Sequence, residues 1–170
     1  MRCLSLFSTR IKKIEGQVLT YGQWTRVEAE DYKQLLHQTF EFEASDVELT
    51  NKSSLIFDYL FHKVDDGRLQ DAIGYLKGDL LTRQSIILFE ATDQFPSKYD
   101  PPCIVFYQFL YDGSRLNIAV YARSINVSTE FLDDISVAKQ FLLYVCSALG
   151  KLERAGKIIF HVGSIHAKVI

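Results

Sequence analysis

The chain has 170 residues, 48% hydrophobic and 24% charged, with only 3 prolines; that profile fits one globular domain with a real core and excludes disordered and fibrous classes. A net charge of -2 gives no global pull toward nucleic acid or an acidic membrane, so neither is expected as a partner and any anion site has to be local. No run of about 18 apolar residues offers a bilayer span, and Met1 to Phe7 is too short for a signal-peptide core, so the expected location is the cytoplasm.

The first 50 residues are the hardest to read. Gln17 to Arg26 suggests a strand and turn, and Ala29 to Phe40 predicts a helix with Tyr32, Leu35, Leu36 and Phe40 on one face. Ser53 to Phe61 predicts a second helix, and Leu69 to Leu76 a third, with Leu69, Ile73 and Leu76 as its buried stripe. Ser85 to Phe89 then reads as a buried strand. Cys103 to Tyr111 reads as a long strand running into the turn Asp112-Gly113-Ser114, with Leu116 to Ala122 as its hairpin partner. Val137 to Leu149 is a strongly apolar helix ended by Gly150, and Ile158 to Gly163 is one more strand. The fold class expected is α+β, a mixed sheet backed by helices in a single domain.

Three cysteines, Cys3, Cys103 and Cys146, cannot all pair, and none forms a CxxC motif, so neither a disulfide framework nor a metal site is expected. Cys146 falls on the apolar face of its helix and reads as structural. His37, His62 and His161 have no motif around them.

Five features stand in order along residues 65 to 170. Pro101-Pro102-Cys103 precedes an aromatic strand containing Tyr107-Gln108-Phe109; Asp112-Gly113 follows; then Tyr121-Ala122-Arg123-Ser124; then Gly163-Ser164-Ile165-His166. Arg83, Cys103 and Arg123 are spaced twenty residues apart. This pattern resembles the thymidylate synthase and pyrimidine nucleotide hydroxymethylase family in its Pro-Cys-His motif, Phe-Gln-Phe strand, Asp-Gly hairpin, Tyr-Gln-Arg-Ser motif and Gly-Asp-x-His segment.

The resemblance implies a pyrimidine nucleoside monophosphate as substrate, methylene-tetrahydrofolate as cofactor and a homodimer as the assembly. Cys103 would attack carbon 6 of the base, making carbon 5 nucleophilic toward a one-carbon unit, which is covalent catalysis. Such a thiol needs a neighbouring cation to become a thiolate. Arg123 would supply it and also hold the phosphate, with Ser124 assisting, since the guanidinium fork binds phosphate bidentately. Arg83 would reach the partner subunit's phosphate site, and His166 would contact the sugar. Each has a plainer alternative: a buried inert thiol, a solvated arginine, a structural histidine.

The departures from the family pattern are specific. Ile104 replaces the histidine after the cysteine, Gln84 the second arginine of a pair, and Lys168 a tyrosine after the sugar-binding histidine. Ala122 replaces a glutamine and Asn126 a folate-side aspartate. Thr129-Glu130-Phe131-Leu132-Asp133 replaces the Leu-Gly-Leu-Pro-Phe stretch that lines the folate site, and the family helix carrying a catalytic glutamate has no counterpart that can be placed. Asp134 stands where the family has a uracil-reading asparagine, eleven residues after Arg123. An aspartate there is characteristic of the cytidylate hydroxymethylase branch; equally, it could cap a helix beginning near Ile135, as could Asp133. Two functions follow: a one-carbon transferase leaning to cytidylate, or a nucleotide-binding, regulatory or specialised-pathway homologue that has lost folate chemistry.

Overall fold

The computed structural model describes residues 33–65, 67–90, 103–126, 130–151 and 154–167. The expected strand and turn at Gln17 to Arg26 lies outside these. In chain order the elements are β1 (Lys33–Glu43), α1 (Asn51–Val64), α2 (Arg68–Gly78), β2 (Ile86–Leu88), β3 (Ile104–Tyr111), β4 (Leu116–Asn126), α3 (Phe131–Ala148) and β5 (Ala155–Ala167). The strands form one five-stranded sheet in the order β1-β5-β4-β3-β2. All neighbours are antiparallel except β4 and β5, which run parallel and are joined through α3.

Sequence chemistry accounts for the ends of these elements. Thr50 caps α1 in a reciprocal box: its hydroxyl accepts from the Ser53 N–H at 3.0 Å while the Ser53 hydroxyl accepts from the Thr50 N–H at 3.1 Å. The hairpin between β3 and β4 is tied by Asp112, whose carboxylate accepts from the Arg115 N–H, the Asn117 amide and both the N–H and hydroxyl of Ser114. Those bonds hold the carboxyl well below the usual carboxylate range, the Arg115 N–H contributing most. Gly113 takes φ 95° in this turn, a region that disfavours side chains with a Cβ.

One segment differs from its expected form. Lys33–Glu43 is a strand, where the sequence spacing suggested a helix over Ala29 to Phe40. Phe40 and Phe42 both pack on the Phe131 ring, at 5.3 and 6.0 Å between centroids. Residues two apart share a face only in a strand. α3 also starts six residues earlier than expected, at Phe131.

The core lies between the sheet and its helices. Tyr107, Phe109, Ile118, Val120, Ile158 and Phe160 face α3, whose Phe131, Ala138, Phe141 and Val145 are fully buried. Phe141 makes edge contacts with Phe57 (4.9 Å), Tyr107 (5.3 Å) and Phe89 (6.3 Å), so truncating it to alanine would cost about 3–5 kcal/mol. No described helix is long and apolar enough to cross a membrane.

The alternation of buried positions breaks at one level across three strands. In β4, where Leu116 to Val120 are all buried, the core-facing series runs Ile118, Val120, Ala122 and then Ile125; in β5 it runs Ile158, Phe160, Val162 and then Ile165. In β3 it steps from Ile104 to Tyr107, with a register shift between Ile104 and Phe106. Ile104, Ala122 and Val162 are cross-strand partners, so the three irregularities line up. Such a break re-aims the side chains beside it.

Candidate functional site

Four of the residues singled out in the sequence, Cys103, Arg123, Ser124 and His166, stand on or beside these strands near this line; Arg83 and Asp134 do not. β4 and β5 are parallel and β3 runs against them, so the start of β3 meets the far ends of the other two. The Arg123 N–H donates to the Cys103 carbonyl at 2.8 Å, and Ser124 pairs with Ser164 in the β4–β5 register. His166 lies further along β5, opposite Asn126 of β4. The Arg123 guanidinium Nη2 lies 4.0 Å from Cys103 Sγ, and its Nη1 lies 3.5 Å from the Ser124 hydroxyl. Cys103 is half-buried and Arg123 exposed.

Gly163 makes the packing of this region possible. A Cβ there would sit 2.8 Å from the Arg123 carbonyl oxygen, closer than real side chains approach backbone. The Ser164 hydroxyl also donates to that carbonyl at 3.4 Å. β5 thus fixes the backbone from which Arg123 projects.

Asp134 lies in the first turn of α3. It is not a cap: the helix begins at Phe131, its N-cap is Glu130, and no side chain makes a capping bond there. Asp133 does not cap it either; its carboxylate accepts from the Thr50 hydroxyl at 3.0 Å and pairs with Lys52 at 2.7 Å, tying α3 to α1. Burial pushes the Asp134 carboxyl up to about 7, with Glu130 and Asp133 adding to the rise and Lys52 opposing it. Near neutrality it therefore exists in both protonation states, so it can donate as well as accept.

Arg83 is exposed, and the structure does not bring it to the Cys103–Arg123 pair within the chain. It precedes β2 at the sheet's edge, where its carbonyl accepts from the Gln108 amide at 2.9 Å. Tyr107 of the aromatic strand motif is fully buried in the core. Sequence reasoning left His161 unassigned. That ring stacks on Tyr121 at 4.7 Å, and Tyr121 stacks on Phe106 at 4.2 Å, forming an aromatic ladder on the outer sheet face. Cys146 is fully buried in α3, as its helical face implies. Among the described residues no group of acidic, histidine and cysteine side chains is placed to hold a metal.

The fold is thymidylate synthase-like. It is similar to the structure of a thermostable thymidylate synthase A from Bacillus subtilis, with TM-score 0.62 and 14% sequence identity. The similarity covers 79% of this chain and 66% of that one, so the chain spans about two thirds of that structure's length. Comparison with protein-family models and with curated protein sequences finds no match.

Proposed function

We propose that the chain binds a pyrimidine nucleoside monophosphate across the aligned ends of β3, β4 and β5, with Cys103 as the nucleophile for one-carbon transfer at base carbon 5. The observation that carries this reading is the Arg123 guanidinium 4.0 Å from the Cys103 thiol. One cation can then lie against the thiol and turn its fork to a phosphate. In this reading Ser124 assists at the phosphate, His166 serves the sugar, Asp134 reads the base, and Arg83 serves a partner subunit's site in a twofold homodimer. The lean to cytidylate applies to the ionised form of Asp134, which accepts from an exocyclic amine and repels a carbonyl oxygen.

Methylene-tetrahydrofolate fits the residues poorly. Within the stretch standing where the family lines its folate site, Glu130 is the N-cap of α3 and Phe131, Leu132 and Asp133 begin the helix, with Phe131 buried in the core and Asp133 held by Thr50 and Lys52. Glu130 and Asp133 would also repel the carboxylates of a folate tail. This observation favours a second reading, a nucleotide-binding homologue without folate turnover.

Exchange of the ring hydrogen at carbon 5 separates the two without folate. Thiolate addition at carbon 6 makes carbon 5 basic; it takes a proton from solvent, loses its original hydrogen, and the thiolate leaves. Cytidylate and uridylate incubated in deuterated buffer should exchange with the parent protein and not with Cys103→Ser. Binding without exchange supports the homologue reading. The Arg123→Ala variant should lose about 1.5–3 kcal/mol of nucleotide affinity by calorimetry. If that affinity is unchanged, or no pyrimidine monophosphate binds the parent, the proposed site is wrong.

A further inference from the structure

The outer sheet face carries a histidine that the proposed site leaves without use. Thr39 of β1, His161 of β5, Tyr121 of β4 and Phe106 of β3 stand in register, one beside the next. The His161 ring stacks on Tyr121 at 4.7 Å, and its Nδ1 lies 3.5 Å from the Thr39 hydroxyl. Stacking fixes the plane of the ring, and the hydroxyl marks Nδ1 as the nitrogen turned toward β1. Nε2 is the nitrogen left for a ligand.

Arg123 borders the same space. A groove of about 390 Å³ is lined by Thr39, Phe106, Tyr121, Arg123, His161 and Gly163, among others. Arg123 and His161 are the two basic side chains among its described lining residues. Arg123 follows Tyr121 by two residues, with buried Ala122 between them, so both point away from the core. That makes it the diagonal neighbour of His161; strand spacing and rise put their backbones about 8 Å apart. The β5 position between the Val162 and Ser164 pairings is Gly163, which has no side chain to fill the gap. A phosphate monoester carries about −1.5 to −2 charges near neutrality, more than one guanidinium answers. Histidine gains a second positive charge in the range just below neutrality.

We propose that His161 is a second anion-holding residue of this site: its Nε2–H donates to a phosphate oxygen while the Arg123 fork holds two others. Thr39 serves both states of the ring. Its hydroxyl accepts from Nδ1–H when the imidazole is charged and donates to bare Nδ1 when it is neutral, which keeps the remaining hydrogen on Nε2. Protonation therefore adds charge without turning the ring. Of the groups around His161, Glu41 on β1 is paired with Lys157 at 2.8 Å, and the Tyr121 phenol is neutral. Arg123 opposes the histidine's charge until an anion sits between them, so anion binding and protonation are linked. That the anion belongs to a nucleotide rests on the function proposed above; the anion site itself does not.

Sulfate is the probe, because it stays a dianion from pH 5.5 to pH 8.5. Calorimetry at constant ionic strength should show the parent binding it at least about fivefold tighter at pH 5.5 than at pH 8.5. His161→Gln should bind it about equally at the two values, and Arg123→Ala should lose it at both. The same pH ratio in parent and His161→Gln overturns the proposal. Binding that ignores Arg123, an adventitious ion only, overturns it as well. Ring NMR on the parent needs no variant: saturating sulfate should raise the His161 midpoint by about 0.7 of a pH unit or more, the same fivefold linkage. An unmoved midpoint overturns the proposal. Cytidylate and uridylate complete the comparison. If sulfate shows the linkage and neither nucleotide binds, the anion site stands and the nucleotide reading falls. If a nucleotide binds through Arg123 with no His161 linkage, the nucleotide reading stands and the proposal for His161 falls.

Discussion

Replacing Asp134 by asparagine should stabilise the protein progressively as the pH rises. In the folded chain burial lifts this carboxyl from 3.8 to about 7. Below pH 3.8 folded and unfolded chains both hold the proton, and the group contributes nothing to the pH dependence. Between 3.8 and 7 the unfolded chain releases it while the folded chain keeps it, so stability falls with pH. At about 1.36 kcal/mol per unit the loss approaches a ceiling of roughly 4 kcal/mol above pH 7. Lys52 acts in the other direction and is already within that net value. Asparagine cannot ionise, so it escapes the penalty. Urea midpoints of parent and variant, measured from pH 4 to pH 8.5, should diverge steadily and level off above pH 7. Other titrating groups largely cancel in the difference. A flat difference curve, or one that falls with pH, would refute the burial argument.

Three more outcomes follow from the site. Preference for cytidylate over uridylate should widen by about tenfold from pH 6 to pH 8.5, and Asp134→Asn should reverse it; equal affinities at pH 8.5 would remove Asp134 from the base. The proposed homodimer would cover the outer sheet face, where Ile86 and Leu88 are 36% and 56% exposed beside the aromatic ladder, so Leu88→Lys should shift the parent dimer toward monomer. A monomeric parent by light scattering at micromolar concentration would remove both the dimer and the role of Arg83. Gly163→Ala should weaken nucleotide binding by displacing the Arg123 backbone, and unchanged calorimetric affinity would count against that link.

The helices and the hairpin were legible because their signals are local. The stripe Leu69, Ile73 and Leu76 has helical spacing, and Asp112-Gly113 marks a turn by its own chemistry. β1 was misread because Tyr32, Leu35, Leu36 and Phe40 also fit a helical stripe. What decides the matter is pairing with β5, more than a hundred residues away: Thr39 lies opposite His161. The start of α3 was hidden because Asp133 and Asp134 read equally well as caps of a helix beginning near Ile135, whereas acids also suit the first turn itself. The spacing of Cys103 and Arg123 found a real neighbourhood, since strand pairing turns a sequence interval into a contact. The ionisation of Asp134 depends on enclosure by distant elements, which no local pattern records.

β5 comes last among the described elements yet lies between β1 and β4. During synthesis, β1 must therefore wait with a bare hydrogen-bonding edge while every other described element emerges, because its only described neighbour in the sheet is still unmade. The β3–β4 hairpin can close early, but the two halves of the sheet join only when β5 slots between them. Non-local joining of this kind is slow and leaves strand edges open to wrong partners. The candidate site straddles that seam, with Cys103 and Arg123 on the early side and Ser164 and His166 on the late one. Nascent chains should thus remain ligand-blind until β5 has left the ribosome.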